Sequence, residues 1–101
     1  MTEIEVGIIK EFIARRFKHD NAWTEGNCYW AAWIIKERFP CLQIYYISDE
    51  GHFVAGDISA NVFFDARGLY EKALTTAPWP IEWIRIFDTS WYERLMKDCR
   101  N

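Results

Sequence analysis

Apolar residues recur along this chain with two distinct periods. Ile4, Ile8, Phe12, Ile13 and Phe17 fall at helical spacing and predict a first helix over about residues 3–17, with that stripe as its inward face. The stretch from His19 to Gly26 is polar, dense in turn residues, and reads as a loop. Helical spacing returns at Asn27, a residue suited to capping a helix start, and runs to just before Pro40. Cys28, Ala31, Ala32 and Ile35 share one face of this second helix, and Phe39 extends it. The two alanines would let the helix lie close against a sheet.

The period then changes to two. Leu42 to Ile47 reads as a strand, Ser48 to Gly51 as a hairpin turn, His52 to Ile58 as a second strand and Val62 to Asp65 as a third, with Ser59, Ala60 and Asn61 turning between them. Gly68 ends the third strand. Leu69 to Leu74 reads as a short helix, Thr75 to Pro80 as a loop and Ile81 to Phe87, with Trp83 inside it, as a fourth strand. Asp88 or Ser90 caps a last helix through Cys99. There are no internal repeats, low-complexity segments or linkers. The expected architecture is a single α+β domain over residues 1–101. The Cys28-bearing helix packs on an antiparallel sheet of three or four strands, and N- and C-terminal helices flank it.

Composition narrows the function classes. Of 101 residues 50% are hydrophobic and 18% aromatic, enough for one core without a metal or disulfide staple. Six Trp and seven Phe imply that some rings line a groove or an interface while most fill the core. The net charge is −3 and no basic tract exists; Arg15 to His19 reads as a helix end, so nucleic acid is not an expected partner. No signal-like segment and no apolar run of membrane-spanning length is present, so no membrane role is expected. Three cysteines form neither a disulfide framework nor zinc-ligand spacing, which points to free thiols in a reducing, cytoplasmic setting. Cys28, Cys41, His19 and His52 likewise lack the spacing of a metal site, and no cofactor is expected.

The candidate chemistry lies in Cys28, His52 and Asp65. A thiol becomes a nucleophile when ionised, and both a helix start and a nearby imidazolium favour the thiolate. Cys28 opens the second helix, His52 opens the second strand and Asp65 closes the third, in the order nucleophile, base, orienter. Whether the last two share a face is a question of parity. A four-residue loop from Ile58 to Asn61 pairs Val54 with Asp65 and makes Asp65 and His52 diagonal neighbours; a loop of three or five residues puts them on opposite faces. Asp57 has the wrong parity relative to His52 and is set aside. Backbone N–H groups of the helical turn at Cys28 would receive an oxyanion.

These segments resemble a known group. Gly26-Asn27-Cys28-Tyr29-Trp30-Ala31-Ala32 is similar to the Gly-x-Cys-x-x-x-Ala segment of transglutaminase-like proteins, within the papain-like cysteine hydrolases. Gly51-His52-Phe53-Val54-Ala55 resembles their His strand, and Asn61 to Gly68 resembles their strand ending in aromatic-Asp. The likeness covers residues 26–68. It implies a metal-free cysteine hydrolase or acyltransferase that acts on a peptide or protein substrate through a thioacyl intermediate, with Cys28 as nucleophile, His52 as base and Asp65 as orienter. Such peptidases usually carry a Gln six residues before the Cys, where this chain has Ala22. Asn21, Asn27 and the Trp23 indole are the candidates for the oxyanion or groove role.

Each of these residues also has a plainer reading. A free Cys often simply packs, His52 can serve as a strand-edge histidine, and Asp65 can cap the turn at Ala66 to Gly68. The rival function is a non-catalytic protein-binding module, such as a small phage or accessory protein, or a degenerate member of the same fold. An enzyme predicts a concave site and a fast-reacting thiol at Cys28. A binding module predicts an exposed apolar patch elsewhere.

Overall fold

A computed structural model describes residues 1–17, 28–48, 50–71 and 77–100, with side chains up to residue 97. The elements run α1 (Glu3–Phe17), α2 (Cys28–Arg38), β1 (Gln43–Ile47), β2 (His52–Asp57), β3 (Val62–Asp65), β4 (Gly68–Leu69), β5 (Trp79–Pro80), α3 (Ile81–Phe87) and α4 (Thr89–Arg100). The strands form one antiparallel sheet in the order β4-β3-β2-β1-β5, an α+β arrangement with flanking helices.

Strand alternation divides the sheet into two faces. Ile44, Phe53, Ala55 and Phe64 meet residues from all four helices: Ile9, Ile13 and Phe17 of α1, Cys28, Ala31, Ala32 and Ile35 of α2, Ile81 and Ile84 of α3, and Leu95 and Met96 of α4. Tyr45, Ile47, Val54, Phe63 and Tyr70 form a second, smaller cluster. β2 is the central strand, buried from His52 to Gly56. Ala31 and Ala32 are buried where α2 crosses it, so their size lets the helix approach closely. Gly56 is needed for the same reason: a Cβ there would lie 2.4 Å from the Phe63 ring and 2.6 Å from the Val62 carbonyl oxygen.

Local chemistry sets the ends of the elements. Thr2 and Glu5 form a capping box at the start of α1: the Glu5 N–H donates to Thr2 Oγ1 and the Thr2 N–H donates to Glu5 Oε1, each at 3.2 Å. The turn at residues 58–61 is fixed by Asp57, whose Oδ1 accepts from the Ser59 N–H at 3.0 Å and the Ser59 hydroxyl at 2.6 Å. Asn61 completes it at φ 51, a conformation asparagine tolerates. Asp88 ends α3, its N–H donating to the Ile84 carbonyl at 2.8 Å, and opens α4, its carboxylate accepting from the Trp91 N–H at 3.1 Å.

Three expectations need correction. The inward stripe of α1 is Ile9, Ile13 and Phe17, while Ile4 and Ile8 are exposed. Apolar residues occupy so much of this helix's circumference that spacing alone does not choose the buried side. Ile81 to Phe87 is a helix and not a strand. Pro80 is its N-cap, at φ −57 and ψ 128, so the helix starts just after the proline, and Ile81 and Ile84 turn inward at helical spacing. The edge of β1 that a fourth strand would have taken is occupied by Trp79 and Pro80. Finally, the segment expected to be helical from Leu69 begins as strand, with Gly68 and Leu69 paired to β3; residues 72–76 lie outside the described residues.

Candidate functional site

The β2–β3 hairpin determines the site. Its register pairs Ala55 with Phe64, Gly56 with Phe63 and Asp57 with Val62 around the four-residue turn 58–61. This is the parity that places His52 and Asp65 on one face, and His52 Nε2 lies 3.0 Å from Asp65 Oδ2. Asp57, spent on its own turn, takes no part.

By alternation His52 and Asp65 belong with Val54 and Phe63, on the side that α2 does not cover. The hydrogen bond between His52 and the Cys28 side chain is therefore made at the end of the sheet, where α2 and β2 both begin. With Nε2 directed at Asp65, Nδ1 is the ring nitrogen left for Cys28. The Tyr70 ring lies beside the imidazole, centroids 5.9 Å apart and planes 31° apart.

Asp65 is held from four directions. Its Oδ1 accepts from the Arg67 backbone N–H at 2.8 Å, and its Oδ2 accepts from Arg67 Nη2 at 2.9 Å, Arg67 Nε at 3.3 Å and His52. Burial alone would raise the Asp65 carboxyl, but the hydrogen bonds from His52 and Arg67 outweigh it and bring the group down to about 2. Burial alone would likewise lower His52. The hydrogen bonds to Asp65 and Cys28, with the charges of both, push it up to about 9. At neutral pH the centre therefore holds an imidazolium between a carboxylate and a sulfur.

The centre is covered. Cys28, His52 and Asp65 are 5%, 7% and 3% exposed. Cys41 is a free, exposed thiol away from this centre. Asn21, Trp23 and Asn27, the proposed oxyanion or groove residues, and Ala22 and His19 lie outside the described residues. Among the described residues no group of His, Cys, Asp and Glu is arranged to hold a metal ion, and no helix is long and apolar enough to cross a membrane.

Sequence reasoning missed two features. Arg67 had a signal, an arginine two residues after Asp65, where a short turn brings the guanidinium back onto the carboxylate. The second is a surface of rings running from β5 onto α3. Trp79, Trp83 and Phe87 succeed one another at four-residue intervals, with centroids 5.1 Å and then 4.9 Å apart. Reading Ile81 to Phe87 as a strand hid that helical spacing. Trp83, Ile86 and Phe87 are exposed. Beside them lies a cleft of about 440 Å³ lined by Ser48, Ala77, Pro78, Trp79, Pro80 and Trp83.

Neither a curated protein nor a solved structure matches the chain. A family model described as Phage YunG-like protein matches residues 6–94. That match runs from α1 through α3 and into α4, well beyond the 26–68 segment on which the papain-like and transglutaminase-like resemblance rested. It overturns that assignment and, with it, the description of the chain as a cysteine hydrolase of that group. The earlier resemblance lay in short motifs, a small-residue helix with an early Cys and a hairpin with His and Asp, which do not define a family by themselves. The chain belongs to the Phage YunG-like protein family.

Proposed function

We propose that this chain acts as a small, non-catalytic phage-type module that binds another protein through the ring surface of α3. The observation that carries this reading is the exposure of Trp83, Ile86 and Phe87 at 43%, 66% and 68% on a single short helix, beside the apolar cleft. Apolar side chains so concentrated on one helix mark an interaction surface. The occupant is an uncharged, apolar segment of a second protein. Glu82 and Arg85, the charged side chains of α3, are paired with each other, so this helix presents no net charge to attract an acidic or basic partner. The burial of Cys28, His52 and Asp65 fits the same reading, because little of the three side chains is open to a substrate.

The test is titration with short neutral peptides bearing aromatic or proline residues, read from the indole N–H signals of Trp79 and Trp83. Saturable shifts at these two signals, lost in Trp83→Ala, are the expected result. No response to any peptide, with dimerisation in analytical ultracentrifugation that Phe87→Ala abolishes, would assign the surface to a second copy and overturn the reading.

The hydrogen-bonded centre favours a second reading, in which Cys28 is a reactive thiol. His52 would hold the sulfur's proton as an imidazolium paired with the thiolate, Asp65 would hold the ring, and the thiolate would form a bond to an electrophilic carbon as that carbon's leaving group departs with its electron pair. Iodoacetamide alkylation followed site by site against pH tests it, with Cys41 as the exposed reference. Selective reaction of Cys28 at neutral or mildly acidic pH, lost in His52→Ala, is expected. A Cys28 that is inert, or indifferent to His52, rejects it.

A further inference from the structure

We propose that Arg67 is a positioning residue for Cys28: it competes with His52 for one Asp65 oxygen and so sets, from the protein surface, the charge state of the Cys28–His52 pair. This rests on the second reading above, in which Cys28 is a reactive thiol. A carboxylate oxygen offers two lone pairs. Asp65 Oδ2 faces three donors, His52 Nε2 at 3.0 Å and Arg67 Nη2 and Nε at 2.9 and 3.3 Å. The oxygen is thus contested between an interior cation and a surface one. Asp65 is buried, whereas the Arg67 side chain is 61% exposed, so the guanidinium links the buried carboxylate to the protein surface.

The groups facing His52 are Cys28 from α2, Asp65 from β3 and the Tyr70 ring beyond β4; Arg67, from the turn after β3, bears on Asp65 and Tyr70, and Glu50, in the turn before β2, bears on Arg67. Arg67 acts on His52 through Asp65: its donors take up part of the oxygen that also accepts from the imidazole. Removing the Arg67 charge while leaving the fold intact frees Asp65 for His52 and makes His52 a stronger base, so the imidazolium–thiolate pair persists to higher pH. Arg67→Lys keeps the charge and so keeps the balance.

The test follows the His52 ring signals by NMR against pH in wild type, Arg67→Gln and Arg67→Lys, with the Cys28 alkylation profile measured in parallel. Arg67 is exposed, so its variants are expected to fold, and a thermal melt checks this. The His52 midpoint in Arg67→Gln is expected to rise by roughly one pH unit, with Arg67→Lys returning it close to wild type. A midpoint that stays put or falls in Arg67→Gln overturns the proposal, because Arg67 would then only brace Asp65. The wild-type alkylation profile and its response to His52→Ala judge the reactive thiol. The difference between Arg67→Gln and wild type judges Arg67, so the two failures are distinguishable.

Discussion

His52 Nε2 and Asp65 Oδ2 lie 3.0 Å apart across the β2–β3 hairpin, a diagonal pair fixed by a turn of four residues. Both groups are buried and both have displaced proton affinities, so the pair ties the stability of the fold to pH.

The dependence has two limbs of opposite sign. His52 rises from 6.5 to about 9 on folding, so its contribution is complete below pH 6.5 and is lost as the pH climbs through 9. Asp65 falls from 3.8 to about 2, so its contribution is complete above 3.8 and is lost as the pH drops toward 2. Urea unfolding across this range is expected to show a plateau between those inner limits, with decline on both sides. In His52→Ala the alkaline decline flattens.

Asp65→Ala removes the acceptor for His52 and Arg67 together. Breaking a buried pair by deleting one partner costs about 3–5 kcal/mol, and here it leaves a buried imidazole beside the sulfur. Chemical denaturation is expected to show a loss of that order. The His52 midpoint in NMR is expected to fall, because the carboxylate that raised it is gone.

Gly56→Ala inserts a Cβ against the Phe63 ring and the Val62 carbonyl of the neighbouring strand. The ring can shift but the backbone oxygen cannot do so cheaply. A loss of about 1–3 kcal/mol is expected, measured as a lower denaturation midpoint at unchanged slope. An effect within experimental error would mean that β3 yields there.

Phe53 and Phe87 share a side chain and differ in place. Phe53 is fully buried beneath α2, and Phe53→Ala is expected to cost about 3–5 kcal/mol. Phe87 is 68% exposed, and Phe87→Ala is expected to stay within about 0.5 kcal/mol. A large loss for Phe87→Ala would identify that ring as part of the fold's own packing rather than of a docking surface.

The sequence was most legible where one pattern excluded the others. The α2 face was such a case by residue size: Tyr29, Trp30, Trp33 and Ile34 make the helix apolar all round, but the small Ala31 and Ala32 mark the side that can approach a sheet, and Cys28, Ala31, Ala32 and Ile35 are all buried. The β2–β3 register was another: alternation left three loop lengths to weigh, and the four-residue turn with Asp57 and Asn61 is the one formed. Legibility failed where apolar residues were too many. In α1 they surround much of the helix, and in Ile81 to Phe87 they fit either period. There the flanking Pro80 and Asp88 decide the structure, not the hydrophobic pattern. Arg67 was overlooked because its role depends on a side chain folding back over a turn. Family membership needed the whole chain, since a motif of a few residues around Cys28 pointed to the wrong group.

The sheet's two rims have a consequence for how this protein meets others. β4 and β5 are two residues each, and Pro80 in β5 has no N–H to offer a neighbouring strand. Among the described residues neither rim offers a long template on which a foreign strand can extend the ladder. Backbone pairing, the common route to both strand-borrowing complexes and fibrils, is thereby discouraged at both rims, which leaves recognition to side chains.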